Sequence, residues 1–399
     1  MSASSSQVLG LGVAGLGMGA SLMVRGILDH PGVRVVAGAA RTTEVRARFA
    51  RDLDAHVYES VEALCADSAV DAVFVATPHE LHLEHARLAA EQGKHVIVEK
   101  PMALTLEDCD AMIDVAERNG VKLIVGPTMS FAPAIQRMRQ IIVGGELGAL
   151  RMINTWESND FMYRARRPEE LVAALGGGVV YNQAPHQVDI VRYLVGGRVE
   201  SVRAAVGVWD PERPVDGSYQ VFMQCTDDIS ATMIYTGYDG FDISEFQTWI
   251  DPERRKADQA YGQARRSIGA LGGSAAEAET KRSLFSWGGR MWASAPRNSQ
   301  QQHFGVTVAH CERGDLRPWA DGVAMYSSRG REEVGVPASR GTPVRAEVMD
   351  ELLDAIRTDR APAHDGQWGK ATMEVCLAMH QSAREQREIT LHHQVALRD

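Results

Sequence analysis

The sequence predicts an α/β protein: a doubly wound parallel sheet comes first, and an α+β domain with an open, mostly antiparallel sheet follows. Up to about residue 127, continuous apolar runs alternate with helical patterns, as is typical of strands buried on both faces of a parallel sheet. Later apolar runs alternate with polar residues, which indicates a sheet with one solvated face. A chain of 399 residues is long enough for two such domains.

The first domain is predicted to contain five strands separated by four helices. The predicted strands are VLGLGVAG, VRVVAGAA, VDAVFVATP, HVIVEKP and VKLIVGP. The helices between them are ASLMVRGILDH, TTEVRARFARDL, ELHLEHARLAAEQG and LEDCDAMIDVAERNG, which carry apolar residues at helical spacing or end at a glycine. In the first helix, Leu22, Ile27 and Leu28 can share one face, so we expect these three to pack on the sheet.

The second domain is predicted to begin with the helix FAPAIQRMRQIIVGG. The run YQVFMQCTDDISATMIYTGY reads as two strands joined near residues 226–228, with Tyr219, Val221 and Met223 on one face. A helix, GKATMEVCLAMHQSAREQRE, follows near the C-terminal end. We therefore predict a disordered tail at 1–7, a dinucleotide-binding domain at 8–128 and a substrate-binding and oligomerisation domain at 129–399. An insertion of charged helix and loop at about 252–302 is a candidate lid or oligomer arm.

The composition of the chain limits the classes of molecule that it is expected to bind. The net charge is −10, which argues against nucleic acid and against anionic membrane surfaces. No apolar run reaches the roughly 18 residues that a membrane-spanning helix needs. The five cysteines are far apart and form no CxxC pair, so we expect reduced thiols in a cytoplasmic protein.

A glycine-rich turn follows the first strand. Gly15, Gly17 and Ala20 fit the G-x-G-x-x-G/A spacing of a Rossmann dinucleotide site. Gly15 permits the tight turn, Gly17 lets the pyrophosphate approach the backbone, and Ala20 permits close packing of helix on sheet. The phosphates would face the free N–H groups at the helix N-terminus. Gly10 and Gly12 lie in the strand and are expected to serve packing, whereas Gly19 eases the turn.

The end of the second strand indicates which dinucleotide binds. NAD sites usually place an acidic residue there for the ribose diol, but this chain has Ala40, followed by Arg41 and Thr42. An arginine with neighbouring threonines can hold a 2′-phosphate. We therefore expect NADP rather than NAD, with NAD as the alternative if Arg41 is only a solvated charge.

Two later motifs, VEKPMA and GGGVVYNQAPHQVDIVRYL, make the chain resemble the Gfo/Idh/MocA family of nicotinamide-dependent oxidoreductases. The segment ATPHELH resembles the third-strand turn of the same family. The resemblance implies that Lys100 and His186 are catalytic, and that Lys100 also orients the nicotinamide ribose. It further implies that Thr77, His82 and Glu99 line the cofactor site. A histidine suits the proton transfer that accompanies hydride transfer because its pKa lies near neutrality.

The chain departs from the family pattern at one position. Asn182 stands where the family commonly has Asp, four residues before His186. An amide can hydrogen-bond a substrate hydroxyl but cannot accept a proton, so His186 is left as the main acid/base candidate. Asp189 is expected to orient His186, to bind substrate or to be a helix-surface acid. The histidines of HELHLEH drift around the helix, and we predict no metal site.

Three arginines, Arg164, Arg166 and Arg167, precede the GGG motif. Arginines recognise carboxylates through bidentate contacts, so the substrate is expected to be a small anion. Together with CERGDLRPWADGV, these segments resemble the branch of phthalate-type cis-dihydrodiol dehydrogenases, which implies oxidation of a carboxylated aromatic cis-dihydrodiol to a catechol. A sugar or inositol dehydrogenase and a non-catalytic dinucleotide sensor are the alternatives. We also expect a homodimer or homotetramer formed through the C-terminal sheet.

Overall fold

A computed structural model of the chain describes residues 8–247, 260–290, 304–337 and 344–398, and all structural statements here concern those residues. The predicted tail at 1–7 and two parts of the predicted insertion, 252–259 and 291–302, lie outside the described residues.

The first sheet is parallel and is covered by helices. Its strands are β1 (Leu9–Ala14), β2 (Val33–Ala39), β3 (His56–Tyr58), β4 (Ala72–Val75), β5 (His95–Val98) and β6 (Leu123–Val125), in the order β3-β2-β1-β4-β5-β6. Its helices are α1 (Met18–Ile27), α2 (Thr43–Leu53), α3 (Val61–Cys65), α4 (His82–Glu91) and α5 (Leu106–Arg118). This order confirms the doubly wound Rossmann architecture. The short β3 and α3 were not predicted.

The buried face of α1 differs from the predicted one. Leu22 and Leu28 are each 41% exposed, whereas the buried stripe contains Ala20, Met23 and Ile27. These buried positions follow helical spacing from Ala20, whose small side chain lets the helix approach the sheet closely. The prediction for Ile27 is confirmed, whereas the prediction for Leu22 and Leu28 is wrong. The spacing of apolar residues in this helix is compatible with two overlapping apolar faces, and the sequence did not distinguish them.

The second sheet has nine strands. They are β7 (Leu150–Ser158), β8 (Val199–Gly207), β9 (Ser218–Cys225), β10 (Ser230–Thr236), β11 (Val306–Cys311), β12 (Gly314–Trp319), β13 (Gly322–Ser327), β14 (Gly330–Gly335) and β15 (Ile389–Thr390). Their order is β14-β13-β12-β11-β7-β10-β9-β8-β15, and only the β7–β10 pair is parallel. The mostly antiparallel sheet is thus confirmed, and Tyr219, Val221 and Met223 share a buried face as predicted.

Seven further helices in the described part of the chain accompany this sheet. They are α6 (Pro133–Gly144), α7 (Val179–Asn182), α8 (Ala184–Val195), α9 (Gln263–Gly269), α10 (Ser274–Phe285), α11 (Arg345–Thr358) and α12 (Gly366–Glu385). Of these, α6, α7, α8 and α12 contact its strands. The last of these packs against both α5 and β6. A Cβ atom at Gly369 would collide with Val125 of β6, so glycine is required for this close approach. The backbone N–H of Val125 donates to the carbonyl of His364 at 2.9 Å.

The five cysteines are unpaired, and four of them are buried. Among the described residues, no helix combines the length and the apolar character that crossing a bilayer requires.

Candidate active site

The glycine turn between β1 and α1 leaves room for a ligand at one position. Gly15 has φ +89°, and a Cβ atom there would lie 2.8 Å from the carbonyl oxygen of Ala76, so this turn requires glycine. A Cβ atom at Gly17 would meet no atom within 4 Å. Ala20, which lies in the first turn of α1, is fully buried. The open backbone at Gly17 and the helix N-terminus behind it fit the pyrophosphate of a dinucleotide.

The other glycines of the stretch serve packing. A Cβ atom at Gly10 would collide with the carbonyl oxygen of Ala69, so this glycine permits a close approach of two chain segments. Gly19 does more than ease the turn, because a Cβ atom there would lie 3.1 Å from Oε1 of Glu99. The missing side chain at Gly19 therefore gives the Glu99 carboxyl group its place beside the first turn of α1.

The turn after β2 is basic and is held by an unpredicted arginine. Arg46 donates from Nη1 to the carbonyls of Ala40 and Arg41, at 2.6 and 2.8 Å. Arg41 and Thr42 are exposed there, and the Thr42 side chain does not cap α2. Both predicted side chains thus lie at the surface of the turn where the adenosine ribose of a Rossmann dinucleotide binds.

Lys100 lies at the end of β5 and points towards the second domain. The Lys100–Pro101 peptide bond is cis. The Lys100 ammonium donates to the carbonyl of Asn182 at 3.0 Å. Burial lowers the pKa of Lys100, the Glu99 carboxylate raises it, and the charges of Arg345 and Arg166 lower it further. The ammonium is therefore enclosed among charged groups from several elements.

His186 lies in the first turn of α8, close to Lys100. Burial lowers the pKa of His186 well below its ordinary value, and the positive charges of Lys100 and Arg345 lower it further. Its Nδ1 atom is buried and has no hydrogen-bond partner among the described residues. His186 is consequently a neutral imidazole at physiological pH, which can accept a proton.

Asn182 uses the N–H groups of its side-chain amide within the chain. Its Nδ2 donates to the carbonyls of Gly176 and Gly178, at 2.9 and 2.8 Å. Both amide hydrogens are therefore used to hold the glycine turn. The residue acts on the site through its backbone carbonyl, which accepts from Lys100.

Asp189 neither orients His186 nor lies on the helix surface. It is 1% exposed, and its carboxylate accepts hydrogen bonds from the hydroxyl groups of Thr128 and Ser130 and from the indole N–H of Trp368. These partners come from the start of the second domain and from α12. Asp189 thus anchors α8 to these neighbouring segments through its carboxylate.

His82 is a buried structural residue rather than a group facing the cofactor. It has no exposed surface. Its Nδ1 lies 2.9 Å from the carbonyl oxygen of Pro101, and its Nε2 lies 3.0 Å from that of Thr77. Burial lowers the pKa of His82 to about 4. The imidazole connects the turn that carries Lys100 to the turn that carries Thr77, and the Thr77 methyl group lies beside Gly15.

The three predicted arginines have different environments. Arg164 donates to Asp160 at 2.9 Å and is 43% exposed. Arg167 donates from its backbone N–H and its side chain to Glu170. Arg166 is only 11% exposed; its guanidinium lies 3.9 Å from the ring centroid of Phe161. Burial lowers the pKa of Arg166 to about 10, and its charge acts on Lys100.

An aromatic wall connects the catalytic pair to these arginines. The rings of His186 and Phe304 are 5.0 Å apart, and those of Phe304 and Tyr235 are 6.3 Å apart. Burial raises the pKa of Tyr235, and the nearby charges of Arg164 and Arg166 oppose that rise. Arg164 and Arg166 therefore lie close enough to Tyr235 for their charges to act on its hydroxyl group.

Sequence reasoning missed several residues of this site. Phe304, Tyr235 and Arg345 belong to no recognised motif, and Arg345 opens α11 more than 150 positions after His186. His79 was set aside with the HELHLEH histidines, but it lies against Gly176 and near Lys100. For Tyr235 there was a signal in the sequence, because the alternating pattern of strand β10 places it on the inner face with Met233. Among the described residues, no group of three or more His, Cys, Asp or Glu side chains could hold a metal ion.

Comparison with known proteins agrees with this arrangement. Residues 9–127 match the model of the oxidoreductase family with an NAD-binding Rossmann fold, and residues 135–242 match the GFO/IDH/MocA C-terminal domain. The chain is 37% identical over 379 residues to 1-carboxy-3-chloro-3,4-dihydroxycyclo hexa-1,5-diene dehydrogenase of Comamonas testosteroni, covering 92% of this chain and 93% of that protein.

Two further relatives show how widely this architecture occurs. A crystal structure of a candidate dehydrogenase from Bordetella bronchiseptica RB50 superimposes with a TM-score of 0.91 at 38% identity, covering 96% of this chain and all of that one. Levoglucosan dehydrogenase of Pseudarthrobacter phenanthrenivorans is 30% identical over 49% of this chain and 48% of its own length. With both of its domains matched and a curated relative aligned over nearly its whole length, the chain belongs to the GFO/IDH/MocA family and is an NAD(P)-dependent dehydrogenase.

Proposed function

We propose that this protein oxidises a carboxylated cyclohexadiene cis-diol to a catechol. The observation that carries the proposal is the row of aromatic rings from His186 through Phe304 to Tyr235, together with the charge of Arg166, which acts on both Tyr235 and Lys100. The apolar face of a substrate ring can pack against such aromatic side chains. A carboxylate at one end of the ring would meet Arg166 while the diol at the other end meets Lys100 and His186. The Comamonas testosteroni relative, whose printed name is that of a carboxylated cyclohexadiene diol dehydrogenase, supports the same substrate class.

The chemistry divides among three residues of this chain. His186, neutral because of its lowered pKa, accepts the proton of the reacting hydroxyl group. The Lys100 ammonium stabilises the alkoxide that develops on that oxygen. Arg166 fixes the carboxylate, and therefore the face of the ring that is presented. The bound dinucleotide supplies a nicotinamide carbon that takes the hydride, and the resulting hydroxyketone tautomerises to the aromatic catechol.

For the cofactor we propose NADP in preference to NAD. Glu99, Lys100, Thr77 and the open backbone at Gly17 would hold the parts of the molecule that the two dinucleotides share. The preference rests on the turn after β2, where Arg41 and Thr42 are exposed and Arg46 supports the backbone. A 2′-phosphate at this turn would be paired with a guanidinium, whereas no acidic residue stands at the end of β2 to bind a ribose diol.

We also propose that the protein assembles as a homo-oligomer through the outer face of the second sheet. Large apolar side chains on this face are exposed by 37–43%: Met152, Trp156, Phe222 and Ile234. Trp156 and Ile234 are register partners on neighbouring strands, so the exposed groups form one patch. A contiguous apolar patch on a broad sheet is typical of an interface between subunits.

A spectrophotometric panel tests the substrate class. The purified protein is given NAD or NADP with a carboxylated cyclohexadiene cis-diol, its uncarboxylated counterpart, sugars and inositols, and reduced dinucleotide is recorded. We expect the carboxylated diol to be turned over with the highest kcat/KM. Turnover of polyols but not of diols would reject the proposal and favour a sugar or inositol dehydrogenase. Tight dinucleotide binding without turnover of any compound would favour a sensor.

A further inference from the structure

The described part of the insertion carries a buried acidic residue on α10. Glu277 forms a bidentate ion pair with Arg213: the guanidinium donates to Oε1 at 2.7 Å and to Oε2 at 3.0 Å. The two side chains are 11% and 4% exposed. Bidentate pairs fix the orientation of both partners, so the carboxylate of Glu277 has a defined position.

The same carboxylate also holds the backbone of the pocket arginine. The N–H of Arg166 donates to Oε1 of Glu277 at 2.7 Å. At the other end of the residue, Nη2 of Arg166 donates to the carbonyl of Phe161 at 2.7 Å, and the guanidinium stacks on the Phe161 ring. Both ends of Arg166 are therefore fixed, one of them by a residue of the insertion.

A second contact of α10 keeps the charge of Arg166 available. Glu170 lies 4.0 Å from Nη1 of Arg166, but the ammonium of Lys281 forms a closer ion pair with that carboxylate. The charge of Glu170 is thus shared among three cations, Lys281, Arg167 and Arg166. The positive charge of Arg166 is therefore only partly neutralised by Glu170, so an anionic group of a ligand would be attracted to it.

The far end of the same segment is seated on the dinucleotide domain. The backbone N–H of Trp287 donates to the carbonyl of Leu16, in the glycine turn, at 3.0 Å. Its indole N–H donates to Asp52 at 3.1 Å, and its ring packs against Phe49 with the centroids 4.7 Å apart. The segment 274–287 therefore spans from the glycine turn to the arginine loop, instead of projecting outward as an arm.

We propose that Glu277 is a positioning residue, which sets Arg166 at a fixed place relative to the dinucleotide so that it binds the carboxylate of the substrate. This inference rests on the function proposed above. It adds that the preference for a carboxylated ring depends on the insertion, although Glu277 itself touches neither the substrate nor the dinucleotide.

The test replaces Glu277 with glutamine, which keeps the size of the side chain but removes the charge that Arg213 requires. Values of kcat and KM are measured for the carboxylated cis-diol and for its uncarboxylated counterpart. We expect KM for the carboxylated diol to rise roughly tenfold, because a small displacement of a binding group is enough for such a loss. The kcat, the KM of the uncarboxylated diol and the dissociation constant of the dinucleotide should change little.

The matched control is Glu279→Gln on the same helix. Glu279 is 65% exposed and pairs with Arg282, one turn away, so its loss should leave both substrates unaffected. Glu277→Asp, which keeps the charge, should retain more of the preference than Glu277→Gln. If Glu277→Gln does not fold, Arg213→Lys weakens the same pair and should lower the preference in the same direction.

The outcomes separate this inference from the proposed function. If Arg166→Ala abolishes the preference for the carboxylated diol while Glu277→Gln retains it, the role of Glu277 is refuted and the proposed function stands. Equal losses on both diols, accompanied by a lower Tm, would likewise reduce Glu277 to a structural role. If the wild-type protein turns over neither diol, the proposed function fails, and the inference fails with it.

Discussion

At the scale of single residues, His186 shows how burial prepares a catalytic group. The imidazole is enclosed beside two cations, and burial together with the charges of Lys100 and Arg345 lowers its pKa. A base with a lowered pKa stays unprotonated at pH values where an exposed histidine would already be charged. The protein should therefore keep its oxidising activity below pH 6.5.

This lowered pKa gives a testable pH profile. For oxidation of the diol, kcat/KM should fall only as the pH drops through an apparent pKa below the ordinary value of about 6.5, because protonation removes the base. His186→Gln should lower kcat by about 10²-fold and abolish this acidic limb, as measured by initial rates between pH 4.5 and 9. His393→Gln, at an exposed histidine, is the control. An unchanged limb in His186→Gln would contradict the assignment.

Sequence motifs could identify functional residues only where a functional residue and its neighbours along the chain form a recognisable pattern. Lys100 and His186 were found in this way, and the structure brings them together. Arg345 was missed because it approaches Lys100 only through tertiary folding. Asp189 shows the opposite error: its place one turn after His186 suggested a role at the site, but the hydroxyl and indole groups packed around it use its carboxylate as an anchor.

At the scale of elements, long periodic runs were predictable and short ones were not. The strand β3, HVY, has only three residues, too few to show periodicity. The insertion illustrates a different limit. Its composition indicated charged helix, but the contacts of Glu277 with Arg213 and of Trp287 with Leu16 join residues 64 and 271 positions apart. No local pattern encodes such pairs.

The turn between β2 and α2 is the element that should select the cofactor. Arg41→Ala should raise the dissociation constant of NADP about tenfold, as expected for loss of one hydrogen-bonded charge pair, and should leave that of NAD nearly unchanged. Titration of each dinucleotide by fluorescence measures both constants. Arg51→Ala, which removes an exposed guanidinium of the adjoining helix α2, controls for the change in net charge. Equal effects of Arg41→Ala on the two dinucleotides would count against a 2′-phosphate contact.

At the scale of the whole molecule, the exposed patch of the second sheet should determine the oligomeric state. Phe222 is 43% exposed on the outer face, so Phe222→Arg should disrupt an interface without disturbing the core. Light scattering after size-exclusion chromatography should show a smaller species than the wild type, with unchanged circular dichroism. Val143→Arg, at a 62% exposed residue of α6, is the control. A wild type that is already monomeric would refute the proposed assembly.

The two-domain architecture was predicted from the alternation of apolar runs and helical patterns alone. The contact between α12, near the end of the chain, and the first sheet was not predicted. The helix pattern of α12 was recognised, yet its packing on β6 depends on Gly366 and Gly369, which lie next to Ile113, Leu123 and Val125 in space only. Glycines in a helix ordinarily count against it. Here they mark the place where a helix of the second half lies directly on the first sheet.

This contact has a consequence for synthesis of the chain on the ribosome. The dinucleotide half emerges first, but the partner of the Val125 N–H, the carbonyl of His364, follows more than 200 residues later. Until then the nascent sheet has an open edge at β6, and open edges pair readily with other strands. During the interval between translation of β6 and of α12, this edge is therefore exposed to pairing with strands of other chains.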